Sequence, residues 1–264
     1  MRRYATNPVR RRSILLLVVV PVIGTLSFST GSIASSASPE HQSQLIQTHT
    51  SPGCGPNGAT LTTTRTSGPN GSQRWLNCGI SPTFPFSGWT PPFITLADLR
   101  YTSLDETAMN STFKACRPFL HYFEQSAAKY RLPPILIASL AMQESSCRLL
   151  DKGDNGGANG IMQITSDKCS GAPNGLCSEP GFNIDMGART FKEALEAVNG
   201  SVLEALGGYN GWVRMMSYND VLKMRDGGCC ECMQNVDYLH QIVNGWLLGI
   251  DAYSHDLGTV QNLK

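Results

Sequence analysis

Residues 130–147 read YRLPPILIASLAMQESSC, and this stretch decides the fold. Pro133 and Pro134 suit the entry to a helix, where a missing N–H costs nothing because the first amides have no intrahelical partner. From Ile135 to Cys147 nearly every position is apolar or small. A helix that is apolar all round has no face to turn to water and belongs in a core. Glu144 breaks the pattern at the end of the run. A carboxyl placed there is partly desolvated, which disfavours its charged form and raises its pKa. A carboxyl that is still protonated near neutral pH can donate to a glycosidic oxygen. The competing reading is a Glu facing solvent at a helix C-terminus, and helix pattern alone does not separate the two.

Outward from this helix the apolar spacing remains helical. Ser103 with Glu106 forms a capping-box signature, and Pro118 predicts a helix start with Phe119, Phe123 and Ala127 on one face. The Gly-rich stretch 153–160 ends the acid-bearing unit, and Gly160-Ile161-Met162-Gln163-Ile164 reads as a short extended piece. Amphipathic helices are predicted at about 187–198 and 201–207. A last one, from Asn235 to Leu248, buries Val236, Leu239, Ile242, Val243 and Trp246. The fold class expected is α+β and mostly α-helical, with a small β element. The Gly-rich loop has no Lys after it and fails as a phosphate loop. Aligned as a calcium loop with Gly156 sixth, it puts Gly153 third and Met162 twelfth. There is no GxSxG and no HExxH, so neither a cofactor nor a metal is expected.

The ends of the chain bear on its destination. Residues 1–37 hold five arginines and no acidic residue, then an apolar run from Ile14 to Ile23 interrupted by Pro21, then small residues to Ser35-Ser36-Ala37. That is the layout of a secretory signal peptide, and the run is shorter than the ~20 residues that span a bilayer. With 1–37 removed, 16 basic residues face 20 acidic ones, a net charge of −4. Such a protein lacks the long-range attraction of a basic surface for nucleic acid or anionic membranes. Neither is expected as a partner, and the mature protein is read as a secreted, extracellular monomer.

Nine cysteines, at 54, 78, 116, 147, 169, 177, 229, 230 and 232, agree with export. Scattered histidines and the lone Cys229-Cys230-Glu231-Cys232 cluster favour disulfides over zinc. Cys169 with Cys177 would close a short loop, Cys54 with Cys78 would staple the N-terminal region, and Cys147 would pin the end of the acid-bearing helix. An odd Cys is left over. Acceptor triplets for N-glycosylation begin at Asn70, Asn110 and Asn199. Residues 38–99 show no sustained apolar period, and GPNGAT (55–60) and GPNGSQ (68–73) repeat a turn signal thirteen residues apart. This region is either an N-terminal packing arm or a small stapled wall-binding module using Trp75 and Trp89. The remaining divisions are a catalytic domain at 100–256 and a tail at 257–264.

Three motifs, taken together, go further than the helix alone. Glu144-Ser145 in its apolar run, Gly160-Ile161-Met162-Gln163-Ile164, and Gly208-Tyr209-Asn210-Gly211 occur in an order and spacing that resembles the soluble lytic transglycosylase and goose-type lysozyme group, over about residues 105–250. The resemblance implies a lysozyme-like fold with Glu144 as catalytic acid. It implies Ser145 orienting the carboxyl or touching substrate, Met162 under the sugar, Gln163 lining the groove, Tyr209 near the carboxyl and Asn210 shaping the cleft. Each also has a plain structural reading as core, cap or turn.

Within this group, transglycosylases attack the anomeric carbon with the C6 hydroxyl of the same sugar, whereas goose-type lysozymes admit water with the help of aspartates. In the pattern GDxGxxxGxMQVD, Asp154 matches the first aspartate, and Thr165 stands where the second belongs. Asp154 reads equally as a water-activating base, ~6.5–9.5 Å from the acid, or as a turn residue. Asp167 is displaced by two residues, ~7 Å along a strand, and is not equivalent. The expected polymer is peptidoglycan, cleaved between N-acetylmuramic acid and N-acetylglucosamine. The alternatives are a related amino-sugar glycan such as chitin, or a secreted wall-binding protein without turnover.

Overall fold

The computed structural model describes residues 45–47, 53–80, 88–150, 157–221 and 235–259. All of them belong to one compact unit. Among the described residues no helix is long and apolar enough to cross a membrane.

The helix read from the sequence, here α4 (Pro134–Ser145), is the centre of the unit, with Pro134 in its first turn. Every residue from Ile135 to Gln143, and Ser145, is buried. Burying an Ile or Leu side chain stabilises by about 1.5–3 kcal/mol relative to exposure, and four of these ten residues are of that kind. The helix stops because Ser146 and Cys147 both adopt left-handed backbone (φ 55°), and their amides turn back to the carbonyls of Met142 and Ala141.

Around α4 lie α1 (Gln73–Leu76), α2 (Glu106–Asn110), α3 (Leu120–Tyr130), α5 (Pro180–Ala197), α6 (Val202–Tyr209) and α7 (Tyr238–His240). α3 packs on both α4 and α5, and α5 on α6. Three sequence expectations shift. The cap of α2 is Asp105, whose side chain accepts from the Ala108 amide, rather than Ser103. Pro118 lies inside a 3-10 turn (Lys114–Phe119), and the α-helix starts at Leu120. The helix expected at 187 begins at Pro180, where Glu179 caps the amides of Gly181 and Phe182. The final helix is not regular: α7 widens into a π turn, Gln241–Gly245, and closes as a 3-10 turn, Trp246–Leu248. Its expected core residues are all buried.

The β element is an antiparallel hairpin, β1 (Ala158–Asn159) with β2 (Ile164–Thr165), pairing Ala158 with Thr165 and Asn159 with Ile164. The stretch 160–164 is therefore mainly the hairpin's turn and not an extended piece. Gly160 (φ 73°) and Gln163 (φ 46°) reverse the chain through left-handed backbone, which costs least at glycine.

The segment 53–80 joins the same core. Trp75 and Trp89 are each 1% exposed, so neither offers a ring to a glycan. Trp89 meets Trp212 edge-on at 5.0 Å, a favoured aromatic geometry. Asn70 Nδ2 donates to the carbonyls of Arg100 and Val243, and Gln73 Nε2 donates to Asp237 at 2.5 Å. Buried polar groups need such partners, and here they tie the N-terminal arm to the helix at 238–248. Asn70 is fully buried, so its reading as a glycosylation acceptor fails; Asn110 and Asn199 are exposed. His240, also buried, accepts at Nδ1 from Asn244 and donates from Nε2 to the carbonyl of Thr64. That pair of bonds requires the neutral ring, and burial pushes its pKa below the usual 6.5.

Disulfides join Cys54 to Cys78, Cys116 to Cys147 and Cys169 to Cys177, with Cα–Cα distances of 5.7, 5.1 and 5.2 Å, ordinary for such bonds. Cys229, Cys230 and Cys232 lie outside the described residues.

Candidate active site

Glu144 occupies the last turn of α4 and is the single half-buried residue between Ile135 and Ser145. Its Oε1 accepts a hydrogen bond from the Tyr238 hydroxyl at 2.6 Å. Once the carboxyl is ionised, such a bond is charge-assisted and about twice as strong as a neutral one. Tyr238 and Tyr209 are held well above the usual phenol pKa, first by burial and then by the negative charge of Glu144. Tyr253 is raised by the same two causes in the same order. All three phenols therefore stay protonated and remain donors, Tyr238 to the carboxyl itself and the other two to the backbone carbonyls of Met162 and Gln143.

The other motif residues divide into supports and surface. Ser145 is buried, and its hydroxyl donates to the carbonyl of Ile161 at 2.8 Å and accepts from the Arg148 amide at 3.1 Å. It stitches the end of α4 to the hairpin turn and does not face a substrate. Met162 is fully buried, and its Cβ lies 2.6 Å from where a Cβ on Gly187 would be. Helix α5 thus approaches the turn closely because residue 187 has no side chain, and Met162 is core and not a sugar platform. Its carbonyl accepts from the Tyr209 hydroxyl at 2.9 Å, so Tyr209 lies near Glu144 but bonds to the motif's backbone instead.

Gln163 alone of residues 160–164 keeps part of its surface, and its amide donates to the Gly160 carbonyl at 2.7 Å. Asn210, half-buried, reaches the carbonyl of Asn235 at 3.4 Å and links the end of α6 to the segment that carries Tyr238. Asp154 lies outside the described residues. Thr165 is exposed at the end of β2. Asp167 is exposed in the 3-10 turn that follows, and its pKa is lowered by a hydrogen bond with Thr165 and by Lys168.

Two supports were not found from the sequence. The sequence places Tyr238 only within a final helix, because nothing in NVDYLHQ marks a tyrosine aimed 94 positions back along the chain. Asn183, fully buried, accepts from the Met162 amide at 2.8 Å and donates to the carbonyls of Asn159 and Cys177, both at 2.9 Å. It braces the hairpin from α5. Its signal was a polar residue on an otherwise apolar helix face, which is ambiguous without knowing what lies opposite.

The Glu144 carboxyl thus sits at the end of a buried helix, bonded to one phenol, with a hairpin turn against the helix end. Residues 121–218 match the family model of the transglycosylase SLT domain, a domain of the lysozyme-like superfamily. At the family level the domain is a transglycosylase-type glycosidase, which implies peptidoglycan as its polymer. No curated protein matches the chain significantly.

Proposed function

We propose that the protein is an exported enzyme that cleaves the β-1,4 bond between N-acetylmuramic acid and N-acetylglucosamine in peptidoglycan, with Glu144 as general acid. The observation that carries this reading is the half-buried Glu144 carboxyl, received by Tyr238 at 2.6 Å, inside the residues that match the SLT domain. A general acid must hold a proton and hold its direction. With Tyr238 donating to Oε1, the proton to be transferred belongs on Oε2. It passes to the glycosidic oxygen as the bond from that oxygen to the anomeric carbon breaks, through an oxocarbenium-like transition state.

Glu144, now ionised, takes the proton of the incoming nucleophile and is restored. For that nucleophile we favour the C6 hydroxyl of the same N-acetylmuramic acid, giving a 1,6-anhydro end. Thr165, standing where a second aspartate would assist water, is not a base. Three disulfides support the reading of an oxidising, extracellular destination.

The test is mass spectrometry of the soluble products after incubating purified peptidoglycan with the mature protein and, separately, with Glu144→Gln. The expected result is muropeptides from wild type, one water lighter than hydrolysis products, and none from the variant. Products with reducing ends would replace the intramolecular nucleophile by water. No release by either protein from well-digestible walls would remove the substrate assignment and favour chitin cleavage or a binding role.

A further inference from the structure

Directly behind Glu144 a chain of amides crosses the apolar interior. Gln143 is 9% exposed; its Oε1 accepts from the Trp246 indole at 2.7 Å, and its Nε2 donates to Gln241 Oε1 at 2.9 Å. The same Gln241 oxygen accepts from Asn235 Nδ2 at 3.1 Å, and Gln241 Nε2 donates to the carbonyl of Leu257 at 3.0 Å. The Tyr253 hydroxyl donates to the backbone carbonyl of Gln143 at 3.0 Å. An indole can only donate and a carbonyl can only accept, so the ends of the chain leave each amide a single orientation.

The π turn is what lets one helix supply these partners. In a regular α-helix Tyr238 and Trp246, eight residues apart, would point ~80° away from each other. A π turn takes up one extra residue, so the eight act as seven, within ~20° of two full turns. Tyr238 and Trp246 thereby address adjacent residues of α4, Glu144 and Gln143.

We infer that Gln143 is a positioning residue: without touching the glycan, it locks the last turn of α4 so that the Glu144 carboxyl stays on Tyr238. This rests on the assignment of Glu144 as the acid. The test uses the mature protein with Gln143→Met, of similar length but unable to hydrogen-bond, and Gln143→Glu. For Gln143→Met, kcat on soluble peptidoglycan strands falls ~10-fold or more while KM changes less than ~2-fold, the pattern of an interaction expressed at the transition state. A glutamate at 143 accepts from Trp246 at any pH but donates to Gln241 only when protonated. The ratio of the Gln143→Glu kcat to that of wild type therefore rises as pH falls.

Unchanged kcat in Gln143→Met with a lowered Tm overturns the inference, as does a ratio that does not vary with pH. Should Gln143→Met fail to fold, that ratio decides alone. If wild type itself does not turn over, the reading of the site fails, and positioning is judged on the Glu144 carboxyl titration followed by carbon NMR. A midpoint displaced by about half a pH unit or more in Gln143→Met, which adds no charge beside Glu144, then supports positioning, and an unchanged one overturns it.

Discussion

Residues 121–218 and residues 235–259 meet at Glu144 and contribute different things. The first carry Glu144 itself, the hairpin turn beside it and the Tyr209-Asn210 corner, all inside the SLT match. The second, outside the match, carry the hydroxyl that receives the carboxyl and the side chains that hold the residue before it. In the first region motif residues turn inward: Ser145 and Met162 are spent on packing and backbone bonds. In the second, a residue with no motif signal, Tyr238, makes the contact with Glu144. A family pattern thus marks where a reactive group sits more reliably than which residues touch it, because a support needs only to reach the site and need not keep a local spacing.

The sharpest way to break the comparison is at Glu144, the proposed acid. Glu144→Gln should lower kcat on peptidoglycan by a factor of ~100 or more, the usual reach of a general acid, with Tm nearly unchanged. A variant that retains turnover would dissolve the site. Next in size is the N-terminal arm: Trp75→Ala should cost ~3–5 kcal/mol of folding stability by denaturant titration, as for a large buried aromatic. A wall-binding role would instead leave stability intact and weaken sedimentation with peptidoglycan.

Tyr238→Phe should follow, with kcat reduced ~10- to 100-fold, the size of a hydrogen bond to a charged group. If Tyr209→Phe has the larger effect, the second region is not the one that holds the acid. Smaller still is a stability slope from His240. Its folded pKa lies below the unfolded value of 6.5, so the unfolded chain binds more protons between the two. Stability is therefore full above pH 6.5 and falls as pH drops below it, and Tm measured from pH 7 to 5 should fall less steeply in His240→Gln. The smallest effect concerns access. With a net charge of −4 after residue 37, lysis of whole cells should lag that of isolated peptidoglycan, and equal rates at physiological salt would refute it.

The sequence by itself determined the buried helix, because a run of apolar and small residues after two prolines leaves no face for water, and with it the position of Glu144 on the last turn. Three motifs in order were enough for the lysozyme-like class, and the short loop of Cys169–Cys177 was legible from spacing. Only the tertiary structure decided which way the motif side chains point. Met162 is core because Gly187 lets α5 come close, and Ser145 is a stitch because Ile161's carbonyl lies opposite. It also decided that Tyr238 meets Glu144 and that Gln143 meets Trp246, contacts that reach back about a hundred positions from the two sides of a π turn. Spacing along a chain constrains neighbours on one element; which elements face each other is settled by the close packing of the whole core.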